Sequence, residues 1–372
     1  MKVNDVINAL ESIAPLKYAA SWDNVGLLVG SGEWPAESIL LTIDLTMEVL
    51  EEAIGAETNL IVAYHPPIFE PLKAVTDADE KQAVVLEAIR AGIAIYSSHT
   101  ALDAAPGGVN DWLAAGLGEG ESMPLEAHAE IPTGEKNKII TMCPPDAFAT
   151  IHQAMSVAGA GVIGNYQQCS FRMAGKGTFF GTEDTNPVTG KKGRLEHVEE
   201  IRLEMVCSDS MLAGVIDALR KTHPYEEPPI EVYRLSARPD SLIGQGRRVK
   251  LNTPATLDEI ITRIKAHLGV EQLKVALGRK APAHYQTIGL CAGAGGSLLD
   301  AAIESGCELF FTGEMRHHAA LDAVARGCTI ILAGHTNTER GYLSELQQKI
   351  TDTQEDVTVV ISSFDRAPFE MR

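Results

Sequence analysis

Seven ionisable side chains stand out by type and by place: Asp44, His65, His99, Asp103, Glu314, His335 and Glu339. Each ends or closely follows a short apolar run, as in "LIVAYH" (60–65), "IAIYSSH" (93–99), "LFFTGE" (309–314) and "ILAGH" (331–335). Imidazole and carboxylate together suit zinc, iron, manganese or nickel, whereas a magnesium site would be mostly carboxylate and water. His99 and Asp103, like His335 and Glu339, are four residues apart, so a helical turn would put each pair on one face. A carboxylate bridging two cations about 3.5–4 Å apart would let them activate a shared water and clamp the attacking and leaving oxygens of a displacement. The chemistry expected is hydrolysis or hydration, and the spacing names no substrate.

Each residue also has a plainer reading. A His or Asp that closes a strand is commonly a cap or turn former. Asp44, in "IDLT", is equally suited to cap a following helix. Glu314 could orient a ligand or serve the fold alone. The pair His317 and His318 starts a helix facing two ways, which favours a surface position. "CAGAGGS" (291–297) follows a strand and precedes a helix, so it is either an anion cradle or a tight turn that needs glycine. It is neither a dinucleotide fingerprint nor a Walker loop.

The elements that must position these residues follow from the apolar rhythm. Runs at 38–45, 60–65 and 93–99 alternate with helical patterns near 46–56 and 79–91, the signature of a parallel α/β sheet. The rhythm returns at 287–296, 307–314, 328–335 and 356–363, and the two ends read as halves of one doubly wound layer. In such a sheet, ligands bind beyond the carboxyl ends of the strands, so strand-end residues distant in sequence converge. Between the halves the pattern becomes strand, helix, strands, helix, strand, the order of a ferredoxin-like split βαβ unit. The expected organisation is an α/β domain formed by 1–124 and 246–372, interrupted by an α+β insert at 125–245.

The chain has 372 residues, long enough for two domains. With 31 Lys and Arg against 50 Asp and Glu, its formal charge of −19 repels phosphate backbones and argues against general nucleic-acid binding. Six scattered cysteines without C-x-x-C spacing fit a reducing, cytoplasmic compartment. The start "MKVNDVINALESIAP" reads as an amphipathic helix rather than a signal peptide, and no apolar run reaches membrane-spanning length.

"SWDNVGLLVG", "YHPPIF", "SSHTALDAAPGGVNDWLA", "TGEMRHH" and "GHTNTERGYL", in this order, resemble the Nif-three family, whose members carry names such as GTP cyclohydrolase I type 2 homologue and dinuclear metal-centre hexameric protein. The insert, with "IGNYQQCSF" and "HPYEEPPIEVY", is similar to the middle domain of the longer members and to CutA and PII folds. The resemblance implies a toroidal homohexamer with two metals per subunit. Carried over, it makes His65, Asp103, His335 and Glu339 metal ligands, with Glu339 bridging. Tyr64 departs from the pattern, standing where many members have a first His. A phenol, with a pKa of about 10, is a poor ligand for a divalent ion. One ion per subunit should therefore be held firmly by His65, His335 and Glu339, and a weaker one by Asp103 and Glu339, with His99 as a further recruit.

The implied function is a metal-dependent hydrolase for a nucleotide or other small molecule, with His99 or Tyr64 as proton donor. The alternative is a non-catalytic metal-binding regulatory or scaffold protein in which the insert senses a ligand. In "HPYEEPP", His223, Glu226 and Glu227 could form another site, although a structural role leading into a subunit contact is favoured.

Overall fold

The structure is a computed structural model that describes residues 1–354 and 356–369. By internal contacts the chain divides into two compact units. One comprises Met1–His128 and the chain from Asp240 onward, the other Ala129–Pro239.

Among the described residues the larger unit is built on two large sheets where the apolar rhythm pointed to one continuous layer. The first sheet runs Gly26–Val29, Ala94–Ser97, Leu60–Ala63, Ser38–Thr42, Thr358–Ile361, with the last four strands parallel and Gly26–Val29 an antiparallel edge. The second runs Lys274–Ala276, Thr329–Leu332, Leu309–Thr312, Tyr285–Cys291, Arg247–Ala255, Gly120–Met123, parallel only through its Thr329, Leu309 and Tyr285 strands. The expectation of one layer fails because no described strand of one sheet pairs with a strand of the other, although each sheet takes a strand from the opposite end of the chain. The late strand Thr358–Ile361 joins the first sheet and the early strand Gly120–Met123 joins the second.

Strand periodicity explains the packing. Ile39, Leu41, Leu60 and Val62 face one core while Leu40, Ile61, Ala63 and Ile95 face another, as alternating side chains of a pleated strand must. The first set shares its core with Ile288, Leu290, Leu309 and Phe311 of the second sheet and with the helices Val3–Ile13, Val109–Ala115, Leu257–Leu268 and Tyr342–Thr353. The outer face of the first sheet is covered by Met47–Gly55 and Glu80–Ala91, whose Val49, Leu50, Val84, Val85 and Ala88 are buried. Strands covered on both faces read as unbroken apolar runs, which is why they were visible in sequence. Among the described residues no helix is long and apolar enough to cross a membrane.

The smaller unit is one antiparallel sheet in the order Ile230–Arg234, Asn137–Cys143, Leu195–Cys207, Phe171–Phe180. The helices Phe148–Val157 and Asp209–Thr222 pack on it through Ile151, Met155, Val215 and Leu219. This is the split βαβ order. Part of the Gly-rich stretch, "GKGTFF", is the end of a long hairpin strand.

One buried charge ties the larger unit together near the candidate site. Arg247 is 1% exposed. Its guanidinium donates to Asp111 Oδ1 at 2.5 Å, to the carbonyls of Gly244 and Gly246 at 2.7 and 2.8 Å, and to the carbonyl of Ala105 at 3.2 Å. Ala105 follows directly on the helix His99–Ala104 that carries Asp103. Truncation would strand a carboxylate and several carbonyls. Arg247→Ala is expected to destabilise the protein by about 3 kcal/mol, read as a lower urea midpoint. Lys250→Ala, on the exposed side of the same strand, is expected to change stability by less than about 0.5 kcal/mol.

Candidate metal centre

His65 lies two residues beyond the strand Leu60–Ala63, but the ladder continues: Tyr64 N–H donates to Thr42 O at 2.8 Å and His65 N–H to Ile43 O at 3.0 Å. That extension fixes the direction of both side chains. His65 Nδ1 meets Asp44 Oδ1 at 2.9 Å, while its Nε2 faces Glu339 Oε2 at 3.5 Å. From the second sheet, His335 repeats the arrangement. Its Nδ1 meets Glu314 Oε1 at 2.9 Å and its Nε2 faces Glu339 Oε1 at 3.4 Å. Each imidazole is thus oriented by a carboxylate on one nitrogen and turns the other toward a shared carboxylate, the carboxylate–histidine pattern typical of metal ligands.

Glu339 closes the short turn Thr336–Thr338 and is 2% exposed. Its Oε2 is buried without a hydrogen-bond partner, and the 3.5 Å to His65 is too long for a good one. A buried carboxylate oxygen left unpaired is costly unless a cation satisfies it. Donor atoms of His65, His335 and Glu339 all lie within 4.8 Å of one another, so these three could hold a metal ion. The donor set of two imidazoles and a carboxylate fits zinc, iron, manganese or nickel.

The glycine loop settles into the turn reading. Gly293, at φ +59°, has its Cα so close to the triad that a Cβ there would lie 2.5 Å from Glu339 Oε1 and 3.0 Å from His335 Nε2. Three of the loop's N–H groups are already used: Ala292 N–H by Asn110 Oδ1, Gly293 N–H by Thr338 Oγ1 and Gly295 N–H by Thr312 Oγ1. The loop backs the triad at close range.

Tyr64, His99 and Asp103 form a neighbouring group outside the triad. Tyr64 Oη donates to Asp103 Oδ1 at 2.5 Å, and the Tyr64 ring meets His99 edge-on at 5.5 Å. His99 Nδ1 is held by Asp23 Oδ1 at 2.8 Å, and Asp23 Oδ2 accepts from Thr100 N–H at 3.2 Å and from Thr100 Oγ1 at 2.5 Å. His99 has φ +29°, a conformation that costs a non-glycine residue energy and that the Asp23 contacts hold in place. The His99 ring also lies close to that of His65, their centroids 5.4 Å apart.

Electrostatics separate the two groups. Burial opposes the charged form of His65, but Asp44 and Glu339 outweigh it and push its pKa up to about 10. Burial holds the Tyr64 phenol well above its ordinary value, with Asp103 and Glu339 adding to it, so Tyr64 keeps its proton. Burial also pushes Asp103 up to about 6, opposed by the charge of His99 and reinforced by Glu339.

Asp44 does not cap the following helix. Thr46 does so, accepting from Val49 N–H, which leaves Asp44 to orient His65. Glu314 orients His335. His317 and His318 are exposed and meet each other, with ring centroids 5.5 Å apart. Within the smaller unit, His223 has both ring nitrogens on backbone, Nε2 on Met142 O and Nδ1 on Tyr225 N–H, and Glu226 accepts from Asn186 N–H, so this segment is built for structure. The sequence reading missed Asp23, although it lies in the quoted "SWDNVG". It also missed Asn110, which bonds the Asp103 carbonyl and the Ala292 N–H at once.

Residues 1–368 match the family model Duf34/NIF3 (NGG1p interacting factor 3), and the chain belongs to this family. It is 33% identical to a GTP cyclohydrolase 1 type 2 homolog of Halalkalibacterium halodurans, covering 98% of this chain and 97% of the relative. It is 35% identical to NIF3-like protein 1 of Homo sapiens, covering 100% and 93%. The crystal structure of a Bacillus cereus protein related to NIF3 superposes with a TM-score of 0.66 at 33% identity, over 100% of this chain and 99% of that one.

In the metal-free protein the raised His65 pKa stabilises the fold fully below pH 6.5, and that contribution disappears as pH rises through about 10. A cation must displace the same proton. Zn²⁺ uptake is therefore expected to strengthen as pH rises toward 10 and to release a proton, measured calorimetrically in buffers of different ionisation enthalpy. Asp44→Ala is expected to weaken Zn²⁺ binding about 10–100-fold.

Proposed function

We propose that the chain binds one divalent ion firmly, through His65, His335 and Glu339, and uses it as a metal-dependent hydrolase for a nucleotide or other small molecule. The observation that carries this reading is the buried Glu339 carboxylate, its Oε2 unpaired, with His65 Nε2 facing Oε2 and His335 Nε2 facing Oε1. The ion would supply Lewis acidity, making water more acidic and polarising a carbonyl or phosphoryl oxygen.

The remaining steps fall to the chain's own groups. Asp44 and Glu314 hold the imidazoles in the tautomer that presents Nε2. His99, fixed through Nδ1 by Asp23, keeps Nε2 for proton exchange with a leaving group. Tyr64 is the poorer donor of the two, because burial and two carboxylates hold its proton. Its phenol instead occupies Asp103, which would otherwise be the natural ligand of a second ion. A second ion, relying on Asp103 and Glu339 with help from His99, is accordingly weak. We further propose a cytoplasmic homohexamer and a CutA/PII-like fold for the insert. The split βαβ strand order supports the latter.

A non-catalytic regulatory or scaffold role is favoured by one observation: Tyr64 and Asp103 satisfy each other, leaving half of a dinuclear centre self-contained. Elemental analysis of protein purified without chelators separates the readings of the site. About one ion per chain is expected. Glu339→Gln should lose it, with at least about 10-fold weaker binding, and Tyr64→His should raise the content toward two. Two tightly held ions in the unmodified protein, or none, would contradict the proposal. Metal-loaded protein that turns over no member of a phosphoester, amide and nucleotide panel would favour the scaffold role.

A further inference from the structure

Beside the triad, two loops carry an aromatic pair that the chemistry above does not use. Trp22 is 62% exposed and Phe69 48% exposed, and their ring centroids lie 6.0 Å apart at an interplanar angle of 59°. Single exposed apolar side chains are ordinary, but two large rings held together in solvent beside a polar cluster mark a place where something apolar binds. The indole also meets His99 edge-on at 6.2 Å, and His99 in turn meets His65 at 5.4 Å. Trp22 thus stands two ring contacts from a triad residue.

The backbone beside each ring is tied down. Asp23, next to Trp22, is anchored by His99 and by the backbone and hydroxyl of Thr100. Asn24 Nδ2 donates to the carbonyl of Ile68, next to Phe69, and so ties the two loops together. Phe69 also lines a cavity of about 440 Å³ whose wall includes Pro67, Leu72, Glu70, Asp79 and Glu80. Loops tied together before binding lose less freedom when a ligand stacks on the rings they carry.

Charge narrows the ligand. Asp23, Asp44, Asp103, Glu314 and Glu339 surround the three histidines, and the Arg340 guanidinium is paired with Asp365. The cavity wall adds three carboxylates against Lys81. Away from a bound ion a polyphosphate would meet like charge here, whereas stacking on an indole face needs no charge at all.

We propose that Trp22 and Phe69 form a stacking platform for a planar, uncharged heteroaromatic ring, a nucleobase or nucleoside, held beside the His65, His335 and Glu339 centre. This rests on the metal reading for its chemistry, but not for its binding. The test is titration of the full chain with guanosine, GTP and ribose 5-phosphate, followed by tryptophan fluorescence and calorimetry, with the ion content of each sample measured in parallel. Guanosine and GTP are both expected to quench the emission, and ribose 5-phosphate to leave it unchanged. Trp22→Ala should weaken guanosine about 10-fold, the size of one base–aromatic stack. Trp22→Phe should stay within about 3-fold of the unmodified protein, and ion content should be equal in all three. Guanosine binding unchanged in Trp22→Ala, quenching by ribose 5-phosphate equal to that by guanosine, or a change only in subunit association would overturn the platform. Ion loss from the unmodified protein would instead defeat the metal reading, while guanosine titration would still decide the platform.

Discussion

A carboxylate taken out of water must find a partner, and Glu339 finds two that are only half suitable. It is 2% exposed, and the nearest donors, the Nε2 atoms of His65 and His335, stand off at 3.5 and 3.4 Å. Burying an ion in this way costs several kcal/mol even after relaxation. In the metal-free state the proton that Asp44 and Glu339 keep on His65 offsets part of that cost. A divalent cation among the three side chains would offset more of it, which makes Glu339 the residue whose burial the surrounding architecture has to justify.

The architecture does so by bringing two sheets to one place. His65 comes from the end of a strand in the first sheet, His335 and Glu339 from just beyond a strand in the second, and the buried helices between them carry Asp103 and Asn110. Asn110 bonds across the halves, to the Asp103 carbonyl and the Ala292 N–H. The Asp365 carboxylate accepts from Ile43 N–H and pairs with Arg340, so the strand end leading to Asp44 and the residue after Glu339 share an anchor. The centre is therefore as rigid as the contact between the sheets. Its asymmetry is local, because one phenol at Tyr64 occupies the carboxylate of Asp103.

Much of this was legible in the sequence because the signals are local. A strand buried on both faces is a short apolar run, and a polar residue closing it marks a strand end, which located His65, Glu314 and His335. The four-residue spacing of His335 and Glu339 correctly put them together, although the turn between them is a tight Thr336–Thr338 one. What the sequence could not convey depends on tertiary pairing. Nothing in "DVTVVISS" says that it joins the early sheet, and nothing in the apolar runs says that they sort into two sheets rather than one. Nothing in "SWDN" says that Asp23 reaches His99. Asp44 and the glycine loop each had two plausible roles, and only their hydrogen-bond partners decided between them.

The central claim is that Glu339 and two histidines from different sheets form a cation site that does not need Tyr64. An anomalous-difference map from crystals of the full chain grown with Zn²⁺ tests it most directly. The account predicts one strong peak per chain at about 2.0–2.2 Å from His65 Nε2, His335 Nε2 and a Glu339 oxygen, with the Tyr64–Asp103 hydrogen bond intact. A map with no peak there, or with its strongest peak on Asp103 and His99 instead, would contradict it.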